Sequence, residues 1–306
     1  VAQIQVDEPP LFVLGVWRSG TTLLHNLLSL DPRHTFPTMY QCLMPDHFLL
    51  TEDFVTRRFP LNSKRPMDDV LVTWDQPQED EYALCMMGQP SFHLSLAFPN
   101  HAPVHLDYLD LERVPARGRA AWKRALLRFV QRVLYRRPGR MVLKSPEHTA
   151  RIRTLLELFP DARFVHIVRN PYVLFASLVK MLRAVYAHFG LQRPTYAGLE
   201  EFIFTTMPHV LQKFEEGRHL VDPSRIHELR YEDLVRDPVG QMRAVYDALN
   251  LGGFDAVRPK LESYLKAQGT YHPNRYDLPP ALHDEITRRW GGIIRKHGYA
   301  EEAAPS

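Results

Sequence analysis

Two stretches of the chain hold residues whose types and spacing suit the binding of anions. The first is Gly15-Val16-Trp17-Arg18-Ser19-Gly20-Thr21-Thr22. It follows the apolar run Leu11 to Leu14 and precedes leucines at helical spacing. Glycines let a backbone turn tightly, and the first turn of the following helix then aims its N–H groups at an anion. Against the triphosphate-binding frame G-x-x-x-x-G-K-[ST], Gly15, Gly20 and Thr22 fit, but Thr21 stands at the Lys position and the cation is inside the loop, at Arg18. Such a loop is suited to one 5′-phosphate and poorly equipped to stabilise charge on a γ-phosphate. The second stretch is Arg163 to Pro171, with Ser177 further on. Arg169 closes a strand-like run at the edge where α/β sheets bind ligands, and Ser177 lies about two helical turns beyond. The pair is placed to grip a second phosphate.

These residues need a scaffold of alternating strands and helices. Runs at 11–15, 141–143, 163–168 and 226–229 read as strands. Helices are expected from Leu23 to Leu30, Pro77 to Met87, Arg119 to Tyr135, Ser145 to Leu158 and Pro171 to Tyr186, and near 200–216, 237–249 and 279–297. The alternation predicts an α/β fold, a P-loop-type parallel sheet with helices on both faces. One domain over 1–306 is expected, with 36–118 as an insertion facing an acceptor and a loop over 268–280.

Composition narrows the classes. With 306 residues, 45% hydrophobic and 24% charged, the chain is globular rather than disordered or fibrous. The net charge is +3, and thirty of the 38 basic residues are Arg, the better partner for bidentate phosphate or sulfate contacts. Basic and acidic residues are interspersed, so no nucleic-acid partner is indicated. Cys42 and Cys85 form neither a metal set nor a disulfide framework, so a reducing, cytoplasmic setting is expected. No run approaches a membrane span. The chain opens at Val1 without Met, as a trimmed chain does, and an upstream signal or anchor is compatible with that.

Taken together, the two stretches resemble the sulfotransferases that use 3′-phosphoadenylyl sulfate. The loop looks like that of the protein-tyrosine and bacterial branches, where Arg replaces the Lys of the cytosolic enzymes. Leu143-Lys144-Ser145-Pro146-Glu147-His148, Leu158 to Arg163 and Leu229-Arg230-Tyr231-Glu232-Asp233-Leu234 are similar to further segments of that group. The likeness covers about residues 11 to 250. It implies that the chain moves a sulfonate to an acceptor hydroxyl or amine and releases adenosine 3′,5′-bisphosphate, without a metal. Arg18 would meet the 5′-phosphate and the sulfonate, and the N–H groups of Ser19, Gly20, Thr21 and Thr22 would cradle the phosphate. Arg169 and Ser177 would hold the 3′-phosphate, and Lys144 would stabilise charge on the bridging oxygen. Tyr231 reads as a half-buried aromatic, with approach to the adenine as the alternative. Several branches of that group close a C-terminal loop over the cofactor, which implies a cofactor-covering role for 268–280; Arg275 within it is assigned to the 3′-phosphate side, with a surface loop as the alternative.

Where the protein-tyrosine branch places a Glu base, this chain reads Pro37-Thr38-Met39-Tyr40-Gln41. The base is then sought in Glu79-Asp80-Glu81, which resembles an acidic pair of bacterial members, or at His148, since imidazole suits proton abstraction from an alcohol. Glu79 is the first choice, because it lies between the first helix and the acceptor-facing region. That region is apolar and aromatic with scattered His and suits a lipid, a phenol or a glycan alike. A P-loop nucleotide kinase and an inactive nucleotide-binding or interaction protein are the alternatives. The missing loop Lys counts against the first, and the intact Arg18, Lys144, Arg169 and Ser177 set against the second.

Overall fold

Leu11 to Leu14 alternate between two cores, as period-2 strand geometry requires. Phe12 and Leu14 pack into a cluster with Trp122, Leu126, Phe129 and Phe164. Leu11 and Val13 pack on the other face with Leu24, Leu27, Val165 and Val245. A strand apolar at every position belongs in the middle of a parallel sheet covered on both faces. The computed structural model describes residues 3–64, 71–268 and 276–299.

In chain order the elements are β1 (Leu11–Leu14), α1 (Thr21–Leu28), β2 (His34–Thr35), α2 (Met39–Leu43), α3 (Phe48–Arg58), β3 (Ser63–Lys64), β4 (Leu71–Val72) and α4 (Asp80–Met86). Two 3₁₀ turns, Phe92–Ala97 and Leu106–Leu109, lead to α5 (Ala116–Arg136), β5 (Arg140–Lys144) and a third turn, Pro146–Ala150. Then come α6 (Ile152–Leu158), β6 (Arg163–Val168), α7 (Pro171–Phe189), α8 (Leu199–Arg218), β7 (Ile226–Arg230), α9 (Tyr231–Arg236), α10 (Pro238–Ala248), α11 (Phe254–Gln268) and α12 (Pro280–Lys296).

Five strands form one parallel sheet in the order β2-β5-β1-β6-β7. β1 lies at its centre, so the loop after β1, Lys144 at the end of β5 and Arg169 just past β6 emerge side by side at the carboxyl edge. A short antiparallel hairpin, β3-β4, lies apart from that sheet. The expected α/β class and the strands at β1, β5, β6 and β7 are present.

Four features differ from the sequence expectations. The helix expected from Ser145 to Leu158 is interrupted at Arg151 (φ −110°), which separates a 3₁₀ turn from α6. The guanidinium of Arg151 is turned onto Glu81 Oε2 (2.6 Å) and the Tyr108 carbonyl (2.6 Å), partners that lie far off in sequence. The edge strand β2 and helix α11 were unforeseen. α7 is long and apolar enough to pass as a membrane span by length and composition, although the sequence reading placed none. It nevertheless packs Phe175, Leu178 and Leu182 with Phe204 of α8 and Trp290 of α12, as a core helix does.

Candidate active site

The loop after β1 is held from several sides. Gly15 (φ 149°) donates its N–H to Thr149 Oγ1 at 2.8 Å. A Cβ on Gly15 would lie 2.8 Å from the Ile167 carbonyl, so only glycine fits there. Arg18 has φ 68°, an αL conformation that costs a non-glycine residue roughly 1–2 kcal/mol. Its partners hold it there. Arg169 Nη1 donates to the Arg18 carbonyl at 2.9 Å, and Arg18 Nε donates to Ser177 Oγ at 3.1 Å. Gly20 (φ 107°) is the N-cap of α1, which no side chain caps. The first turn of α1 therefore presents its N–H groups without a capping oxygen. Ser19 does not join this cradle. Its N–H and its hydroxyl both donate to the Val16 carbonyl, at 3.1 and 2.7 Å.

Arg169 is buried, with its guanidinium 4.3 Å from the centre of the Tyr231 ring. Tyr231 is buried rather than half-buried, and its ring lies against Gly20. Arg169 Nε is a buried donor with no hydrogen-bond acceptor among the described residues. Buried donors are rarely left so, and one beside an uncapped helix start, Arg18 and Ser177 fits an anionic ligand. Arg18, Arg169, Ser177 and the start of α1 thus suit a nucleotide carrying phosphates at two positions.

The base candidates separate in space. The carboxylates of Glu79, Asp80 and Glu81, at the start of α4, take different partners. Glu79 Oε1 accepts from Lys144 Nζ at 2.6 Å. Asp80 accepts from Ser145 Oγ (3.1 Å) and pairs with His148 Nε2 (2.7 Å). Glu81 accepts from Ser91 Oγ (2.7 Å) and Arg151 Nη1 (2.6 Å), while its own N–H donates to Ser145 Oγ (3.0 Å). Burial opposes ionisation of Asp80 and Glu81, but His148 and Arg151 outweigh it and hold both carboxyls below their usual range. α4 is thereby stapled to the end of β5, and Glu79 is aimed at Lys144. His148 is fully buried between the Phe12 and Trp122 rings and lines no part of the cavity below, which removes it from reach of an acceptor.

Glu79 faces a cavity of about 400 Å³ that Arg18, Thr21 and Thr22 also line. The rest of its wall is mostly apolar. Leu178, Met181, Leu182, Val185 and Phe189 form one face of α7, and Tyr82, Phe92 and Leu96 stand among the other lining residues. From Ser177, beside Arg18, to Phe189 this face spans roughly 18 Å at 1.5 Å per residue. His93 joins the wall, with its ring 4.7 Å from that of Tyr82 and Nε2 3.4 Å from Glu147 Oε1. Burial lowers the His93 pKa. Burial, reinforced by repulsion from Glu81, raises that of Glu147 well above the carboxylate range. Arg275 lies outside the described residues.

A sequence profile of the Sulfotransferase family matches residues 9–255, four fifths of the chain. The chain belongs to the sulfotransferase family. It is 47% identical over 300 residues to the omega-hydroxy-beta-dihydromenaquinone-9 sulfotransferases Stf3 of Mycobacterium bovis and Mycobacterium tuberculosis, covering 98% of this chain and 77% of theirs. Among solved structures it is similar to sulfotransferase STF9 of Mycobacterium avium, with a TM-score of 0.69 and 20% identity over 98% of this chain and 79% of that one. Sulfotransferase STF1 of M. tuberculosis H37Rv follows at a TM-score of 0.61, 20% identity, and 95% and 78% coverage. At that identity the structures speak to the fold alone. This member of the family is a sulfotransferase, and its donor is an activated sulfonate.

Sequence reasoning did not single out Ser145, Thr149, Arg151 or the cavity-lining face of α7. Ser145, Thr149 and Arg151 lie in or beside the Lys144 to His148 segment, so their position was a usable signal. The face of α7 gave none, because that helix is apolar on its other sides too.

Proposed function

We propose that this sulfotransferase takes its sulfonate from 3′-phosphoadenylyl sulfate and transfers it to a hydroxyl borne by a long apolar lipid. The observation that carries the acceptor class is the cavity: Arg18 and Glu79 share it with a wall built from one face of α7. The Stf3 relatives, named for a hydroxylated menaquinone, support the same class. A phenol or a glycan would leave most of that wall uncovered.

When bound, the donor supplies a sulfonate whose bond to the 5′-phosphate breaks as the bond to the acceptor oxygen forms. Gly20, Thr21 and Thr22 would hold the 5′-phosphate at the start of α1, and Arg18 would neutralise charge beside it. Arg169 and Ser177 would hold the 3′-phosphate, Arg169 through an Nε that no acceptor among the described residues takes up. Lys144 would place its ammonium on the leaving-oxygen side. Glu79 would take the acceptor's proton, a role its place in the cavity wall permits and the burial of His148 denies to that residue. Preorganised charge of this kind acts most strongly where water is excluded.

The test is transfer of labelled sulfonate from the donor to a panel of acceptors: a prenyl alcohol, a simple phenol and a hexose. Turnover is expected with the prenyl alcohol. Sulfonation of the hexose or phenol in preference would refute the acceptor class.

A further inference from the structure

The mouth of the cavity carries features that sulfonate transfer itself does not call for. Phe189 both lines the cavity and is half exposed, so the apolar wall of α7 continues onto the surface. Beside it Leu191 is 76% exposed and Phe98 49%. Their two segments are stitched into one rim. Leu191 N–H donates to the Ala97 carbonyl at 2.8 Å, the Asn100 amide donates to the Arg193 carbonyl at 2.9 Å, and Thr195 N–H donates to Asn100 Oδ1 at 2.8 Å. Single exposed apolar side chains are ordinary, but a cluster continuous with an apolar cavity marks a contact surface.

Charge says what the surface contacts. No Asp or Glu occurs from residue 82 to 106, or from 162 to 199. Arg183 and Arg193, both exposed, lie on α7 and on the segment that follows it, and Arg183 sits over the Tyr196 ring of that segment. A rim that is apolar, basic and free of acids in both of its segments complements a negatively charged lipid surface, where apolar side chains enter the interface and cations meet headgroups.

We infer that this rim docks on the surface of an anionic lipid bilayer, so that an apolar acceptor passes from the bilayer along α7 to Glu79 without crossing water. The inference rests on the lipid-acceptor reading above and deepens it. The occupant is the bilayer and not a second copy of the chain, because two basic rims would repel each other.

Sedimentation of the full chain with vesicles tests it. Binding is expected to phosphatidylglycerol-rich vesicles, weaker binding to pure phosphatidylcholine, and a loss at high salt. Leu191→Glu and Phe98→Glu should each lower binding about tenfold, since a charge replaces an inserted apolar group. Arg183→Ala and Arg193→Ala should each lower it about fivefold. Leu50→Glu, on α3 at an 88% exposed apolar site away from the rim, should bind as the parent does. An unchanged melting shift with adenosine 3′,5′-bisphosphate verifies that each variant is folded. A parent that ignores anionic vesicles, a Leu191→Glu variant that binds them as well as the parent, or a dimer that Leu191→Glu splits would each overturn the inference. Turnover of a short, water-soluble prenyl alcohol reads the acceptor class separately. If turnover is present and vesicle binding absent, docking alone falls. If vesicles are bound and no prenyl alcohol is turned over, the acceptor class falls and docking stands.

Discussion

Replacing Glu79 by Gln removes a proton acceptor while keeping nearly the same shape. Glu79 Oε1 sits 2.6 Å from an ammonium that is 3% exposed, and the carboxylate itself is 17% exposed. A positioned general base contributes about 10²–10⁴ in rate, or roughly 2.7–5.5 kcal/mol of barrier. Turnover of Glu79→Gln should therefore fall by about that factor. The amide oxygen can still accept from Lys144, so the ammonium loses its counter-charge but not its hydrogen bond. Breaking a buried pair outright costs about 3–5 kcal/mol. With the hydrogen bond kept and the carboxylate partly wet, about 1–2 kcal/mol is expected. Glu79→Ala should match Glu79→Gln in turnover and fall below it in stability, because it also leaves Lys144 without an acceptor. The assay is the initial rate of labelled sulfonate transfer at saturating prenyl alcohol, read beside thermal melts with and without the bisphosphate. Both variants should keep the bisphosphate shift. Turnover of Glu79→Gln within threefold of the parent would refute the assignment of the base.

Arg169→Ala should weaken adenosine 3′,5′-bisphosphate by about 1.5–3 kcal/mol in calorimetry and leave a nucleotide lacking the 3′-phosphate nearly unaffected; equal losses would move the 3′ site elsewhere. Gly20→Ala would put a methyl 2.3 Å from Tyr231 Cδ2 at a φ of 107°, so a loss of about 1–3 kcal/mol is expected in denaturant melts, and a neutral result would contradict the packing. Burial lets the folded state hold the Glu147 proton to higher pH than the unfolded chain, which releases it around pH 4.5. Stability should therefore decline as pH rises from that value toward the raised pKa. Glu147→Gln should flatten this decline in denaturation curves at pH 6 and 8; identical slopes would show that Glu147 ionises in place.

The parts of the site that were legible in the sequence are those built from neighbours in the chain. Gly15 to Thr22 announces itself because a strand, a turn and a helix start occupy consecutive residues. Arg169 is equally plain at the end of β6. The Glu79–Lys144 pair was not legible as a pair, since the two meet only when α4 is stapled to β5 across 65 positions. His148 and Glu79 looked alike as bases because burial has no local signature. Arg151 breaks a helix for a distant carboxylate, and residue periodicity does not report that. In α7 a side facing the core and a side facing a cavity are both apolar, so spacing cannot tell them apart. β2 was missed because two residues are too few to show a strand pattern, and α11 because Pro259 interrupts its helical signal.

Arg18 stands in both halves of the nucleotide site at once. Its side chain reaches Ser177 and its carbonyl receives Arg169, while its own αL backbone shapes the turn that leads into α1. On the proposed reading, the two ends of the donor would be read by one residue rather than by two independent clamps. A pull at the ribose end would then reach the turn that faces the transferring group. A nucleotide without its 3′-phosphate would sit in a loop whose hinge is slack, occupying the site yet presenting its reactive end out of line. Fidelity toward the donor would then reside in timing as well as in grip, because the wrong nucleotide would be admitted but not brought to bear.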